Sequence, residues 1–473
     1  MRGSPNLEMA KIANLTYPRK IHIVGIGGSG MSALGEVLVG SGHLVSGSEI
    51  KETQILERLR SLGITIYLGH RESQIADAEI VAYSTAIPVD NIELLAAKAA
   101  GAEVLHRSEV LAGLTRIKKS ISIAGTHGKT TTSALISLAL SDAKLRPSFV
   151  LGSEVNEVGA AASWDEGAWL VIEADESDGT FLHLKSEIAI VSSVERDHVE
   201  YYGSYEKLQD AFGEFLGSAS IKIVGSDDPC AFHLGSKHSA ITVGVNKKSD
   251  FRIENIELNK NYSRFSLVQS DGKSFDIHSP LLGMHNVKNL AIAFVGAKMA
   301  GADEESLLSA LGRFGGVPRR FESRGSVNGI GFIDDYAHLP GEVKPTLETA
   351  RLFNPERLVA VFQPHRFTRT RDLASEFADA FCDADMLYVT DIYSAGERIL
   401  HGVNASMVVQ AIKENNPNFE VYYEPSRDQL VEKLSGLLRS GDILITLGAG
   451  DLTSLPDQIK TMIQTTSLGR NQK

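Results

Sequence analysis

Ala124-Gly125-Thr126-His127-Gly128-Lys129-Thr130-Thr131 stands between an apolar run, ISIAG from Ile121, and a stretch with helical spacing, SALISLALSDA. A glycine-rich turn that opens a helix aims consecutive backbone N–H groups at an anion. A lysine beside it reaches terminal phosphates, and the hydroxyl after the lysine can ligate Mg²⁺. The spacing is that of a shortened phosphate loop, because alanine occupies position 124, where the common motif has its first glycine, and the glycine follows at 125. Gly125, Thr126, His127, Gly128, Lys129, Thr130 and Thr131 are expected to hold the phosphates of ATP, with Thr130 next to the cation.

Glu173-Ala174-Asp175-Glu176-Ser177-Asp178 puts four carboxylates within six residues at the end of the run WLVI. Like charges this close repel, and a divalent cation at a strand tip near phosphates relieves the repulsion. Alone, such a run reads as a solvated acidic loop; its place after the phosphate loop favours metal binding, with Glu173, nearest the strand, as ligand. A further run, EIAIVSSV, ends in Glu195-Arg196-Asp197-His198, where the imidazole of His198 is placed either for a second cation or for a purely structural contact. Arg319-Arg320, and Arg366, Arg369 and Arg371 in QPHRFTRTR, offer guanidinium forks suited to phosphate and carboxylate.

Gly25-x-Gly27-x-x-Gly30 follows a strand-like run, KIHIV, and Glu49 comes some twenty residues later. That spacing specifies a diphosphate on a helix N-terminus. It does not separate a nicotinamide dinucleotide from a UDP-sugar, so an NAD-dependent oxidoreductase and a non-catalytic nucleotide-binding regulator stay open at this point.

These groups need rigid elements behind them, and the patterning supplies strand, turn and helix units throughout. Strand-like runs at Leu44 to Ser46, Thr65 to Tyr67 and Ile80 to Ser84 alternate with helical stretches up to about Arg116. Polar alternation from Phe251 to Ile277 predicts a β-hairpin, followed by a helix at HNVKNLAIAFVGAKMAG. In the last third, IGFIDDYAH, RLVAVFQPHR, MLYVTDIYSAGE and DILITLGAGD are four apolar strands with polar downstream ends, expected to converge on one crevice. Three domains follow: 1–117, 118–322 and 323–473.

With 473 residues, 43% hydrophobic and 22% charged, the chain has the composition of an ordinary globular protein. A net charge of −12 argues against a nucleic-acid partner, which calls for a basic stripe. Two cysteines, Cys230 and Cys382, leave no disulfide framework and fit a reducing cytoplasm. No apolar run reaches the roughly 18 residues of a membrane span, and no signal-peptide stretch opens the chain. MRGSPNLEM and QTTSLGRNQK read as loose termini without a role.

In order along the chain, IHIVGIGGSGMSALGEVL, VSGSE, GTHGKTTT, EADESDGTFL, ERDH, GMHNVKN, VPRRFE, DDYAHLPGEV, FQPHRFTRTRDL and LGAGD resemble the Mur ligase family, over about Ile21 to Leu455. The resemblance implies an α/β, three-domain Mur ligase architecture: a Rossmann-like N-terminal domain for a UDP-sugar, a P-loop ATPase, and a Rossmann-like C-terminal domain that closes and presents an amino acid. It implies a cytoplasmic ligase of peptidoglycan synthesis, monomeric or dimeric, that uses ATP and two Mg²⁺, with Mn²⁺ an alternative, to join L-alanine to the lactyl carboxylate of UDP-N-acetylmuramate through an acyl phosphate.

Carried over by position, Lys129 contacts ATP phosphates, Thr130 and Glu173 hold one Mg²⁺ and His198 the other, Asn289 contacts adenine and Arg320 the phosphates. Gly27, Ser29, Gly30, Met31, Ser32 and Glu49, with Ser84 and Arg107, belong to the UDP-sugar. Tyr336, His338, Arg366 and Arg369 hold the incoming amino acid and the developing intermediate. The chain departs from the pattern at Leu339, where a second histidine is usual, at Glu49 for aspartate, and at Ser193 for asparagine. A relative that couples a preformed tripeptide to the same nucleotide is the near alternative, and the step from EADESD to GTF favours the single amino acid.

Overall fold

The structure, a computed structural model, describes residues 11–75, 77–155 and 157–470. Two compact units result. One comprises the described residues through Ile256 with Arg264–Ser279 and Lys288–Gly315; the other comprises Glu257–Ser263, Pro280–Val287 and the described residues from Gly316.

The first unit begins with a five-stranded sheet of β1 (Lys20–Val24), β2 (Leu44–Glu49), β3 (Thr65–Leu68), β4 (Ile80–Tyr83) and β5 (Glu103–His106), in the order β3-β2-β1-β4-β5. Every pairing is parallel. Parallel sheets are covered on both faces, which is why Ile21 to Val24 form an unbroken buried run. The strand order reverses beside β1, so the glycine turn after β1 opens into the crevice where such sheets bind ligands.

A ten-stranded sheet follows, of β6 (Lys119–Ala124), β7 (Ser148–Val155), β8 (Ala160–Ser163), β9 (Trp169–Glu173), β10 (Ser186–Val191), β11 (Ile221–Gly225), β12 (Ile241–Gly244), β13 (Phe251–Leu258), β14 (Ser263–Gln269) and β15 (Ser274–Ser279). Its order is β15-β14-β13-β12-β11-β10-β6-β9-β7-β8. β6 lies between β9 and β10 and runs parallel to both. The three polar tips singled out in the sequence therefore leave one edge of the sheet side by side. The helix Lys129–Asp142 behind the phosphate loop is buried from Thr130 to Leu140, so it needs apolar or small residues on every face, as SALISLAL provides.

The second unit carries β16 (Glu322–Val327), β17 (Ile330–Asp335), β18 (Arg357–Phe362), β19 (Met386–Val389), β20 (Glu420–Tyr423) and β21 (Asp442–Leu447), ordered β16-β17-β21-β18-β19-β20. Only the β16–β17 pairing is antiparallel. The four strands expected to share a crevice, β17, β21, β18 and β19, are consecutive neighbours with their carboxyl ends at one edge.

Two expectations change. Phe251 to Ser279 form three neighbouring strands rather than a hairpin, because Asn259 and Gly272 each allow a turn. Of the tail read as loose, residues 464–470 belong to the helix Leu455–Arg470; residues 471–473 and the opening MRGSPNLEM lie outside the described residues. Among the described residues no helix is long and apolar enough to cross a membrane.

Candidate active site

The loop after β6 is fastened by the turn after β10. Thr126 N–H donates to the Ser193 carbonyl at 3.0 Å, and His127 N–H to Ser193 Oγ at 3.2 Å. Ser192 Oγ donates to the His127 carbonyl, and Glu195 N–H to Thr126 Oγ1 at 2.8 Å. The Glu195 carboxylate lies 2.9 Å from His127 Nε2. Ser193, flagged as a departure from the family pattern, thus holds the loop through both backbone and hydroxyl. Gly128 caps the helix at φ +78°, and Asn289 packs against it from the helix Met284–Met299.

Lys129 Nζ donates to the Gly125 carbonyl and to Glu176 Oε1, both at 2.7 Å. Burial works against this ammonium, but Glu176, Glu173 and Asp175 together hold its pKa above the ordinary lysine value. Glu176 is buried, and burial together with the charge of Asp175 outweighs Lys129 and pushes its carboxyl up to about 7. Asp175, against desolvation, is held below the usual range by Lys129 and by hydrogen bonds from Ser177. Two cations, Lys129 and Arg107, therefore serve a cluster of four carboxylates, which leaves negative charge to spare. Glu173 Oε2 accepts from Gly152 N–H at 2.9 Å, and His198, at φ +54°, lies 3.2 Å from Asp197. Among the described residues, no three His, Cys, Asp or Glu side chains converge as a metal cage. A divalent ion here would draw most ligands from phosphate oxygens and water, the usual habit of Mg²⁺, and Thr130 and Glu173 are oxygen donors suited to it.

At the first sheet, Gly25 and Ile26 donate to the Ser48 carbonyl at 2.9 and 3.0 Å, and Gly27 N–H donates to Glu49 Oε2 at 3.0 Å. Ser29 and Gly30 open the helix Ser29–Gly40 at the surface of the crevice. Met31 and Ser32 are buried, and their N–H groups are bonded to the Gly28 carbonyl. The Ser84 carbonyl accepts from Ile87 N–H at 3.0 Å. Arg107, at the tip of β5, pairs with Asp175 and Asp178 of the acidic turn.

In the second unit Arg319 and Arg320 lie 5.0 and 4.8 Å from the centroid of the Tyr336 ring. Arg319 Nη2 donates to the Gly448 and Gly450 carbonyls at 2.8 and 3.0 Å. Arg320 pairs with Glu342, as does His338 at 3.2 Å. The rings of His338 and His365 meet edge to face at 5.4 Å, and His365 stacks on Tyr393. Arg369, buried, lies 3.0 Å from His365 Nδ1. Arg366 caps the helix Phe367–Leu373. Arg371, grouped with these arginines in the sequence, pairs instead with Asp372, where both side chains are 52% exposed.

Leu339 is 3% exposed and belongs to the core formed by Ala337, Val343 and Leu347. Its position faces the interior, so leucine there subtracts nothing from the polar groups around His338. Leu339→His is expected to cost on the order of 2–4 kcal/mol of stability by burying an imidazole in an apolar site. Urea unfolding checks the loss, and the KM for the amine should move less than twofold.

Asp335, 4% exposed, accepts from Phe321 N–H at 2.6 Å and Ala337 N–H at 2.7 Å. Burial pushes its carboxyl up to about 6 despite Arg320 and these two donors. A raised carboxyl stabilises the fold fully below its ordinary range and loses that contribution as pH rises through about 6. The thermal midpoint of the protein relative to Asp335→Asn is therefore expected to fall as pH rises from about 4 to about 7.

Glu176 and His365 were not singled out in the sequence. Glu176 sits in the acidic run, but only the folded turn shows which carboxylate meets Lys129. His365 directly precedes Arg366 at a strand tip, a position that marks it. Loop N–H groups at a helix start, a half-buried lysine, an acidic turn and a second glycine turn together describe a protein that binds nucleotide phosphates at two places.

The chain belongs to the Mur ligase family. Residues 20–119 match "Mur ligase family, catalytic domain", 123–297 match "Mur ligase middle domain" and 319–450 match "Mur ligase, glutamate ligase domain". It is 40% identical over 442 residues, 92% of this chain and 96% of the relative, to UDP-N-acetylmuramate--L-alanine ligase of Pelotomaculum thermopropionicum. The UDP-N-acetylmuramate-alanine ligase structure from Thermotoga maritima superposes with a TM-score of 0.79 at 28% identity, covering 95% of this chain and 100% of that one. A murein peptide ligase from Psychrobacter arcticus shares the fold, with a TM-score of 0.68 at 22% identity, covering 94% and 98% of the two chains.

Proposed function

We propose that the protein is a cytoplasmic UDP-N-acetylmuramate--L-alanine ligase, converting ATP to ADP and phosphate as it forms the first amide of a peptidoglycan precursor. The observation that carries the reading is Lys129, charged at a helix start and facing the acidic turn after β9, with Arg107 joining that turn to the glycine turn after β1. Relatives about 40% identical over nearly the whole chain bear this name.

The lactyl carboxylate attacks the γ-phosphorus, ADP leaves, and the alanine amine then displaces phosphate from the acyl phosphate. Lys129 and the loop N–H groups counter the negative charge that develops on the transferred phosphoryl oxygens. Thr130 and Glu173, and separately His198, would hold Mg²⁺, which when bound adds positive charge at those oxygens. Arg320 serves anionic oxygens and Asn289 the adenine, as the family resemblance implies. Tyr336, His338, Arg366 and Arg369 orient the amino acid. The three parts 1–117, 118–322 and 323–473 then serve the UDP-sugar, ATP and the amino acid in turn.

Hydroxylamine trapping tests the intermediate. With UDP-N-acetylmuramate and ATP but no amino acid, a hydroxamate of the nucleotide and release of ADP are expected. Release of AMP would mean an acyl adenylate and overturn the reading.

A further inference from the structure

Arg107 opens the helix Arg107–Leu114 at the end of β5, and its guanidinium faces two ways. Nη1 lies against Gly30, where an added Cβ would come within 2.5 Å of it. Glycine at 30 thus makes room for the arginine at the start of the helix Ser29–Gly40. Nη2 faces the acidic turn of the neighbouring sheet, 3.4 Å from Asp175 and 3.3 Å from Asp178. Nε is buried without a hydrogen-bond partner among the described residues. A buried guanidinium N–H left unsatisfied costs free energy.

The two carboxylates differ. Asp175 shares its charge with Lys129. Asp178 is fixed by its own turn: Oδ1 accepts from Thr180 N–H at 3.0 Å and from Thr180 Oγ1 at 2.5 Å, which leaves Oδ2 turned to Arg107. A guanidinium anchored on one edge by a fixed carboxylate has its remaining donors directed, and directed donors lose less entropy when an anion binds.

We infer that Asp178 is a positioning residue for the nucleotide-sugar: it aims Arg107 at the diphosphate over Gly30, so the site on the first sheet is completed by a carboxylate from the second. The inference rests on the reading of Arg107 and the glycine turn as the UDP-sugar site. Under it, affinity for the muramyl nucleotide depends on a residue that touches only the arginine.

Titration of the full chain with UDP-N-acetylmuramate, using Arg107→Ala, Asp178→Asn and the double variant, tests this. Asparagine keeps an Oδ1 for Thr180 and removes the charge that faces Arg107. Arg107→Ala is expected to weaken binding at least about tenfold and Asp178→Asn roughly three- to tenfold, the range of one ordinary hydrogen bond, since Asp178 acts on the ligand only through the arginine. The double variant should bind no more weakly than Arg107→Ala alone, and the KM for ATP should stay within about twofold in Asp178→Asn. Should Asp178→Asn lose its thermal transition, Asp178→Glu carries the test, since a displaced carboxylate misaims the arginine with the same non-additivity. Unchanged affinity in Asp178→Asn, multiplying losses in the double variant, or an effect on ATP alone overturns the inference. Unchanged affinity in Arg107→Ala overturns the underlying site assignment instead.

Discussion

Lys129→Ala is expected to lower ATP-dependent phosphate release on the order of 10³-fold, while the affinity for UDP-N-acetylmuramate changes little. The ammonium is held charged by three carboxylates and sits at the first turn of the helix behind the loop. Removing one charged donor from a transferred phosphoryl group costs about 3–4 kcal/mol of transition-state stabilisation, and each 1.36 kcal/mol is tenfold in rate. The fold should survive, because Glu176 is poised near neutrality at about 7 and takes up a proton when its partner is gone. Steady-state phosphate release and a thermal melt on the same sample separate the two effects. Turnover within about threefold of wild type would show that the lysine does not act on the phosphoryl group.

Gly128→Ala should be nearly as damaging for a different reason. Gly128 adopts φ +78°, where an L side chain is strained by about 1–2 kcal/mol. A Cβ there would also come within 2.9 Å of Asn289 Cγ and closer still to its amide oxygen. Either the loop must shift, and with it the N–H groups that face phosphate, or the buried Asn289 side chain must leave its place against the loop. ATP affinity is expected to fall on the order of 10²-fold, as misplacement of about 1 Å does at sites that depend on position. UDP-N-acetylmuramate affinity should be unaffected, since the group that a Cβ at Gly128 would meet is Asn289, not Arg107, Asp178 or the glycine turn after β1. Calorimetric titration with each nucleotide reads both; an unchanged ATP affinity would remove the loop from the site.

The features legible in the sequence are those where backbone geometry demands a residue type. GTHGKTTT and GxGxxG announced themselves because only glycine fits a left-handed cap or a close approach, and both loops stand where expected, after β6 and β1. The four strands of the last third were legible because each is a buried apolar run with a polar end, and they are neighbours in the sheet. Strands β5, β7, β8, β11, β12, β16 and β20 were not read individually: all but β7 have only four to six residues, too few to carry a periodicity of their own. Side-chain partnership was the least legible. Arg107 meets carboxylates some seventy residues away, and Glu176 rather than its neighbours meets Lys129. Leu339 illustrates the reverse case: it looked like a lost polar group, but burial shows a core position.

Phosphate release from ATP, measured with UDP-N-acetylmuramate and in turn L-alanine, L-serine, glycine and a preformed tripeptide, tests the central claim most directly. The account predicts release that requires both the nucleotide and an amine, with the highest kcat/KM for L-alanine. Coupling of the tripeptide alone, or NADH binding with no ATP turnover under any of these conditions, would contradict it.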